Sequence, residues 1–435
     1  MKTKLLALLL LMAMLLTLAG CAAADGAYTG GAAGGAGGAG GGALMAPSAG
    51  GDASFDGGEE NEIKDPLTIP AGQLTAAEWN DHEHYALWLA QFEQGQTLED
   101  NGVFYFYVQE NKVWNLPYAG MLPVLVQKEG VAVSGARVEL LQEENVMYSA
   151  VTDAKGLAFV FGNEQDFASY AVRVSCGGEP VVVSLADATL TEGVLAVDVA
   201  TAVEKQNVIE LMFLIDTTGS MGDELSYIKA EVDDVIARVK EANPGVTVRL
   251  ALLFYRDEVK KGQEQNDDYV TRYFDFTEDI EAQRENLNRQ KPYGGGDYPE
   301  AIHTALAEAV SQNWSEGNST KLIFHIADAP IHEIQQDADL YRDAILMAAK
   351  KGIRIIPVAS SGVNKETEYL FRSEALLTGG TYTFLTDDSG IGNSHLEPTV
   401  GAFTVEFLNS MLVRLICEFH TGEDIPPVDW RQETK

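Results

Sequence analysis

Three cysteines, Cys21, Cys176 and Cys417, are too few and too widely spaced for a disulfide framework. Cys176 lies in a strand-like run and Cys417 in a helix-like one, so the two read as unrelated buried thiols. Basic residues are scarce as well. Thirty Lys and Arg stand against sixty-five Asp and Glu, a formal net charge of −35. That field repels nucleic acid and anionic lipid and attracts cations, so no nucleic-acid partner is expected. Beyond the N-terminus no run is apolar enough to span a bilayer. Catalytic signatures are missing too. There is no HExxH and no Walker A motif. Residues 218–222 (TGSMG) lack the first glycine of GxSxG. Asp216-Thr217-Thr218 resembles the aspartic-protease Asp-Thr-Gly only in part, and no second such segment completes a shared-proton dyad. The acidic residues do not follow EF-hand spacing: Asp52-x-Ser54-x-Asp56-Gly57 begins like one, but Ile63 stands where the bidentate Glu belongs. These absences argue against an enzyme and against a calcium buffer.

What is present fits globular protein: 46% apolar and 22% charged residues, in a chain of 435 that allows two or three domains. The N-terminus reads as a targeting segment over residues 1–20. Lys2 and Lys4 precede an apolar run, 5–18, too short for a comfortable membrane span. It ends in Leu18-Ala19-Gly20-Cys21, which resembles the bacterial lipobox. That resemblance implies cleavage before Cys21, acyl chains on its sulfur and an extracytoplasmic protein anchored by lipid alone. An ordinary secretory signal with a chance cysteine is the alternative. Residues 21–58 are Gly, Ala and Ser with almost no large apolar side chains, and cannot bury enough surface to fold. As a coil of some 40 residues they reach about 35 Å and read as a tether.

Residues 59–120 are less readable. Residues 79–94 have a helical pattern, and 103–108 (VFYFYV) look like a strand. His82-Glu83-His84 invites a metal reading, but neighbouring helical positions diverge and no further ligand is near. Over 121–203, short β-branched runs recur at intervals of about ten residues, which suggests a small antiparallel sandwich. Glu129-Gly130, 153–156 and a two-residue hairpin turn at Gly177-Gly178 punctuate them. Within it, residues 130–161 resemble transthyretin-like and carboxypeptidase-regulatory-like modules of bacterial surface proteins. The resemblance carries no chemistry and implies a spacer or secondary contact surface.

From residue 204 to 420 apolar strands alternate with amphipathic helices, and 421–435 form a tail. Strands are expected at 209–215, 246–255, 269–276 (an edge), 321–327, 353–358 and 381–385. Helices are expected from Leu225 through Val239, from Pro299, and over 340–351, 366–377 and 400–417. This alternation indicates an α/β domain with a mostly parallel, doubly wound sheet.

Such sheets bind ligands at the carboxyl ends of their strands. The loop after the first strand reads Asp216-Thr217-Thr218-Gly219-Ser220-Met221-Gly222. Asp216, Thr218 and Ser220 occupy alternate positions and can point the same way along an extended loop. One carboxylate and two hydroxyls make an all-oxygen set, suited to Mg²⁺, Mn²⁺ or Ca²⁺ rather than zinc. The set leaves coordination positions for other loops, water or a partner. A glycine-containing turn that merely caps the following helix is the bland reading.

The segment FLIDTTGSMGDEL resembles the metal-ion-dependent adhesion site of von Willebrand factor type A domains, whose signature is DxSxS or DxTxS. Residues 293–301 (YGGGDYPEA) and 326–330 (IADAP) match later loops of that family in the right order. The resemblance implies that Thr218 and Ser220 touch one divalent cation, Mg²⁺ first, with Asp216 acting directly or through water. It implies that Asp328 acts through water. Asp297 falls where many members have threonine, so it either ligates the metal or caps the helix at Pro299. Tyr255-Arg256-Asp257, at the end of the second strand, reads either as a surface turn or as part of the rim, through Arg256 and Asp257. The implied function is a surface-anchored adhesion or assembly module whose metal coordinates an Asp or Glu of an extracellular protein or peptide. Alternatives are a structural lipoprotein with a merely stabilising metal and, less favoured, a hydrolase. His303, His325 and His332 lie near these loops and read as structural.

Overall fold

This computed structural model describes residues 70–93, 102–110, 113–222, 224–258, 269–295, 298–391 and 393–433. The readings made for residues 1–58, Cys21 among them, and for Asp297 lie outside the described residues. The chain divides into two units, Met1–Asn61 and Glu62–Lys435, and every described residue belongs to the second. No helix among the described residues is long and apolar enough to cross a membrane.

The described chain begins with β1 (Thr75–Trp79) and a short helix, α1 (Tyr85–Ala90). Trp79 thus ends a strand rather than starting a helix. Residues 103–108 form no strand either; a π-helical turn occupies Phe106–Glu110. Here aromatic packing overrides β propensity. Trp88, Phe92, Phe104 and Tyr107 all lie against the ring of Tyr369, at centroid distances of 6.4, 6.0, 5.5 and 5.4 Å. His82 and His84 are structural. Burial pulls His82 down to about 4, and its neutral ring donates from Nε2 to the Leu376 carbonyl (2.8 Å). The His84 ring stacks on Trp79.

Eight short strands follow: β2 (Met121–Lys128), β3 (Val131–Ala132), β4 (Arg137–Gln142), β5 (Asn145–Val151), β6 (Leu157–Phe161), β7 (Tyr170–Ser175), β8 (Val181–Ser184) and β9 (Leu195–Asp198). They make two four-stranded sheets. One runs β3-β2-β6 with β9 beside β2; the other runs β5-β4-β7-β8. Leu122, Val124 and Val126 of β2 and Tyr170, Val172 and Val174 of β7 are buried at alternate positions in one shared core, as a period of two requires. All pairs are antiparallel except β2–β9, which is parallel, so the expected antiparallel sandwich is met in part. The link between β7 and β8 spans 176–180, longer than a two-residue turn, with Gly177 at φ +72.

The remainder alternates as its periodicity indicates: β10 (Val208–Asp216), α2 (Leu225–Ala242), β11 (Thr247–Tyr255), β12 (Thr271–Thr277), α3 (Ile280–Asn288), α4 (Ile302–Ser311), β13 (Thr320–Ala327), α5 (Gln335–Lys351), β14 (Ile353–Ala359), α6 (Lys365–Thr378), β15 (Tyr382–Leu385), β16 (Val405–Phe407) and α7 (Leu408–Thr421). The sheet order is β12-β11-β10-β13-β14-β15-β1-β16. Strands β10, β11, β13, β14 and β15 are parallel, and β12 is an antiparallel edge. Helices cover both faces. Ile209, Leu211, Phe213 and Ile215 of β10 pack in a core with α2, α3 and α7. Met212 and Leu214 point the other way, into a core with α4, α5, α6 and the two small sheets. The mostly parallel α/β expectation for this part holds.

The pairing of β1 is invisible to local pattern. It lies between β15 and β16, antiparallel to both, although some three hundred residues separate it from them in sequence. A buried ion pair locks it. The Arg372 guanidinium donates from Nη2 and Nε to Asp81 (2.6 and 2.9 Å), and from Nη1 to Glu368 (3.3 Å) and the Thr399 carbonyl (2.7 Å). The side chains of Arg372 and Asp81 are 1% and 2% exposed. Asp81→Ala would leave the buried guanidinium short of one carboxylate, and breaking such a pair costs about 3–5 kcal/mol. Chemical denaturation should show a loss of that size; a loss within error of zero would mean that the pair contributes nothing net.

Candidate metal centre

The site forms because β10 delivers Asp216 to the carboxyl edge of the sheet between β11 and β13, level with Tyr255 and just beyond Ile326. The loop that follows is pinned on both sides. Thr217 N donates to the Tyr255 carbonyl (2.9 Å), Tyr293 N to the Thr217 carbonyl (3.0 Å), and Gly219 N to the Gly294 carbonyl (3.2 Å). Thr217 turns its hydroxyl away from the site, to the Tyr255 carbonyl and the Tyr269 hydroxyl. Asp216, Thr218 and Ser220 are left on one side, as alternation predicts, although Gly219–Gly222 coils as a 3₁₀ turn rather than running extended.

These three side chains touch in a row. Thr218 donates from N and from Oγ1 to Asp216 Oδ1, each at 2.7 Å, and Thr218 Oγ1 lies 3.1 Å from Ser220 Oγ. Asp216 is 0% exposed and Thr218 1%, whereas Ser220 is open to solvent. The row therefore climbs from a dry floor to the surface. Asp216 Oδ2 is buried and has no hydrogen-bond partner among the described residues. Burial pushes the Asp216 carboxyl up to about 8, and the nearby charge of Asp328 adds to the rise.

Asp328 directly follows β13 and is 3% exposed. Gly362, at φ +99, brings its backbone close; a Cβ there would lie 3.6 Å from Asp328 Oδ2. Tyr298 donates its hydroxyl to the Gly362 carbonyl (2.8 Å) and lies 3.3 Å from the Asp328 carbonyl. Arg256 and Asp257 are not exposed rim groups. Arg256 is 4% exposed, donates to the Thr217 and Lys291 carbonyls, and lies over the Tyr269 ring at 4.2 Å. It braces the loops from within. Asp257 is 6% exposed and bonds His332. Their apolar surroundings explain the difference, since Tyr255 carries the strand's burial into the turn.

The oxygens of Asp216, Thr218, Ser220 and Asp328 are a hard donor set. No group of three or more His, Cys, Asp or Glu placed to hold a metal is found among the described residues, so any site here must use the hydroxyls. A nucleophilic serine is not supported: Ser220 Oγ bonds Thr218, and no histidine among the described residues bonds it. His325 is fully buried between Tyr255 and Glu374, at 3.0 and 2.9 Å, and His303 is 3% exposed with burial lowering its basicity.

Two buried carboxylates lie inside the motif-bearing segments without being among the expected ligands. Glu300, 3% exposed, precedes α4. Glu224, 0% exposed, precedes α2; its Oε1 accepts from Ser361 N (3.0 Å) and from His395 Nε2 (3.2 Å). The carboxylate thereby ties together the loops after β10, β14 and β15. Burial would raise Glu224, but these hydrogen bonds outweigh it and hold the carboxyl below its ordinary value. His395 also bonds Asp387 Oδ1 through Nδ1 (2.7 Å). Burial alone would pull the imidazole down, yet the two carboxylates outweigh it and hold His395 above the ordinary histidine value.

A folded-state value above the unfolded one means that His395 stabilises fully below about pH 6.5, and that the contribution fades as pH rises through the folded value. Denaturation midpoints of the metal-free chain, measured from about pH 5.5 to 9, should therefore decline on the alkaline side. His395→Gln should lower the acid end and flatten that decline. A parallel downward shift at every pH would contradict it.

Comparison with known proteins bears on residues 210–390, which match the family described as the von Willebrand factor A domain. The alpha-protein kinase vwkA of Dictyostelium discoideum is 26% identical over 143 residues, covering 32% of this chain and 22% of that protein. The chain thus spans under a quarter of that relative's length. The crystal structure of the conserved hypothetical protein BatB from Bacteroides thetaiotaomicron is 13% identical, covers 48% of this chain and 98% of its own, and superposes with a TM-score of 0.34. The family match begins inside β10, ends just past β15 and includes Asp216, Thr218, Ser220 and Asp328, so the part of the chain similar to the von Willebrand factor A domain is the part that carries these loops.

Proposed function

We propose that this domain is a divalent-metal-dependent protein-binding module that takes a carboxylate from a partner. The observation that carries the reading is Asp216 Oδ2, a buried carboxylate oxygen without a hydrogen-bond partner among the described residues, beside a row of hydroxyls that opens at Ser220. Leaving such an atom unsatisfied is costly, and a hard cation satisfies it. Thr218 and Ser220 would hold the cation directly, Asp216 directly or through water, and Asp328 through water. The helix expected from Pro299 begins at Ile302, with Ala301 at its N-cap, so Asp297 remains a candidate ligand. Mg²⁺ is the first choice, with Mn²⁺ or Ca²⁺ possible on the same chemistry. When bound, the cation supplies an electrophilic position that an Asp or Glu of an extracellular protein or peptide can complete. The domain's own part is to exclude water beneath the metal and to keep the outer side open. If the Leu18–Cys21 segment is a lipobox, Cys21 anchors this module at the outer face of a bacterial membrane, with the Gly- and Ala-rich stretch 21–58 as its tether.

Thermal unfolding of the full chain in EDTA, then in Mg²⁺, Mn²⁺ or Ca²⁺, tests the site. Binding to the native state alone adds about 2.7 kcal/mol at a hundredfold excess over Kd. The rise should vanish in Asp216→Ala. No rise with any cation at millimolar concentration would sink the reading. Capture of a cell-surface protein in Mg²⁺ that EDTA releases is the expected second result; a metal-stabilised chain that retains no partner would leave the metal a purely structural part.

A further inference from the structure

Glu300 lies within the 293–301 loop segment without being among its expected ligands; it is 3% exposed and sits beside the oxygen row. A Cβ on Gly295 would lie 3.0 Å from Glu300 Oε1 and 3.4 Å from Thr218 Cβ. The Glu300 carboxylate and Thr218, the middle of the oxygen row, therefore border the same small space, the one that a side chain at position 295 would fill. Gly295 stands at φ +77 and Gly294 at φ +79, a left-handed pair that lets the loop thread this gap. The main chain fixes Glu300 from the far side. Its N donates to the Pro330 carbonyl (2.9 Å), two residues past Asp328, and Glu300 bridges to Ile331 in parallel register. Beneath the site, the charges of Asp216, Glu300 and Asp328 all bear on the Tyr255 hydroxyl, adding to burial in pushing it well up. Asp216, Glu300 and Asp328 are each 3% exposed or less, and buried carboxylates need compensation, of which Arg256 supplies part at Asp216.

The geometry points to Glu300 as a third carboxylate of the metal centre, acting on the cation through bound water. This rests on the metal reading above. Action through water accords with the finding that, among the described residues, no three of His, Cys, Asp or Glu are grouped closely enough to hold a metal directly. Groups in that position orient water and ligands around a metal, and their loss costs roughly 10- to 100-fold in metal affinity.

The test measures Mg²⁺ binding by calorimetry, and unfolding in EDTA, for the full chain, E300Q, E300D and D216A. E300Q should bind Mg²⁺ roughly 10- to 100-fold more weakly than the wild type. In EDTA its unfolding temperature should hold or rise, because a buried ionisable group has been replaced by a neutral one of the same shape. E300D, which keeps the charge, should bind more tightly than E300Q. Unchanged affinity in E300Q would overturn the assignment. So would a lower EDTA midpoint with E300D no better than E300Q, which would give Glu300 a role in folding alone. A wild-type chain that binds no Mg²⁺, like D216A, would instead remove the metal reading itself.

Discussion

Strand β10 carries a carboxylate at each end and mostly apolar side chains between, and the fate of those two charges organises the domain. Both Glu210 and Asp216 are completely buried. Glu210 is saturated. It accepts from Ser315 N and Oγ, from Ser319 Oγ (2.8 Å) and from the Arg249 guanidinium. That end is a structural knot, holding the loop between α4 and β13 in place. Asp216 receives hydrogen bonds on one oxygen only, both from Thr218. Burial of a charge demands compensation, and the same strand meets the demand fully at one end and by half at the other. The contrast separates a carboxylate that serves the fold from one kept ready for something else.

The chemistry of the first loop was legible because it is local. Five residues, Asp216 to Ser220, contain the carboxylate and both hydroxyls, and alternation alone gives their common direction. The order of strands and helices from β10 to β15 was legible for a related reason: buried parallel strands read as continuous apolar runs, and α2 shows its inward face at clear helical spacing. Long-range placement was not legible. Nothing in residues 75–79 announces a seat between β15 and β16, and the three residues of β16 are too short to carry a period, so they were read as part of the final helix. VFYFYV was misread because its aromatics pack on Tyr369 instead of pairing with a strand. Glu224 and Glu300 lie inside the quoted loop segments, but their burial, 0% and 3% exposed, is set by the fold and has no signal in the sequence.

The two small sheets are not an independent bead on the chain. Tyr148 donates its hydroxyl to the Leu377 carbonyl, Arg354 donates to the Val151 carbonyl (3.2 Å), and the His82 ring stacks on Phe159. Their core is continuous with the side of the large sheet that α4, α5 and α6 cover. Much of α5 and α6 is consequently occupied, and the carboxyl edge of the sheet is left as the open working surface.

The insertion of β1 has a mechanical consequence. Thr75 and Ala76 lie level with Phe407 and Leu385, so the chain enters the sheet at the edge that bears the Asp216 loop. Glu231 of α2 grips the entrance, accepting from the backbone N–H groups of Gly72, Gln73 and Leu74. Tension on the preceding segment, applied along the strand axis, would load the rungs on both sides of β1 together, in shear, instead of peeling them singly. Strand β16 joins the sheet through β1 alone. A load strong enough to withdraw β1 would therefore release β16 and loosen α7 with it, making this strand the mechanical fuse of the sheet.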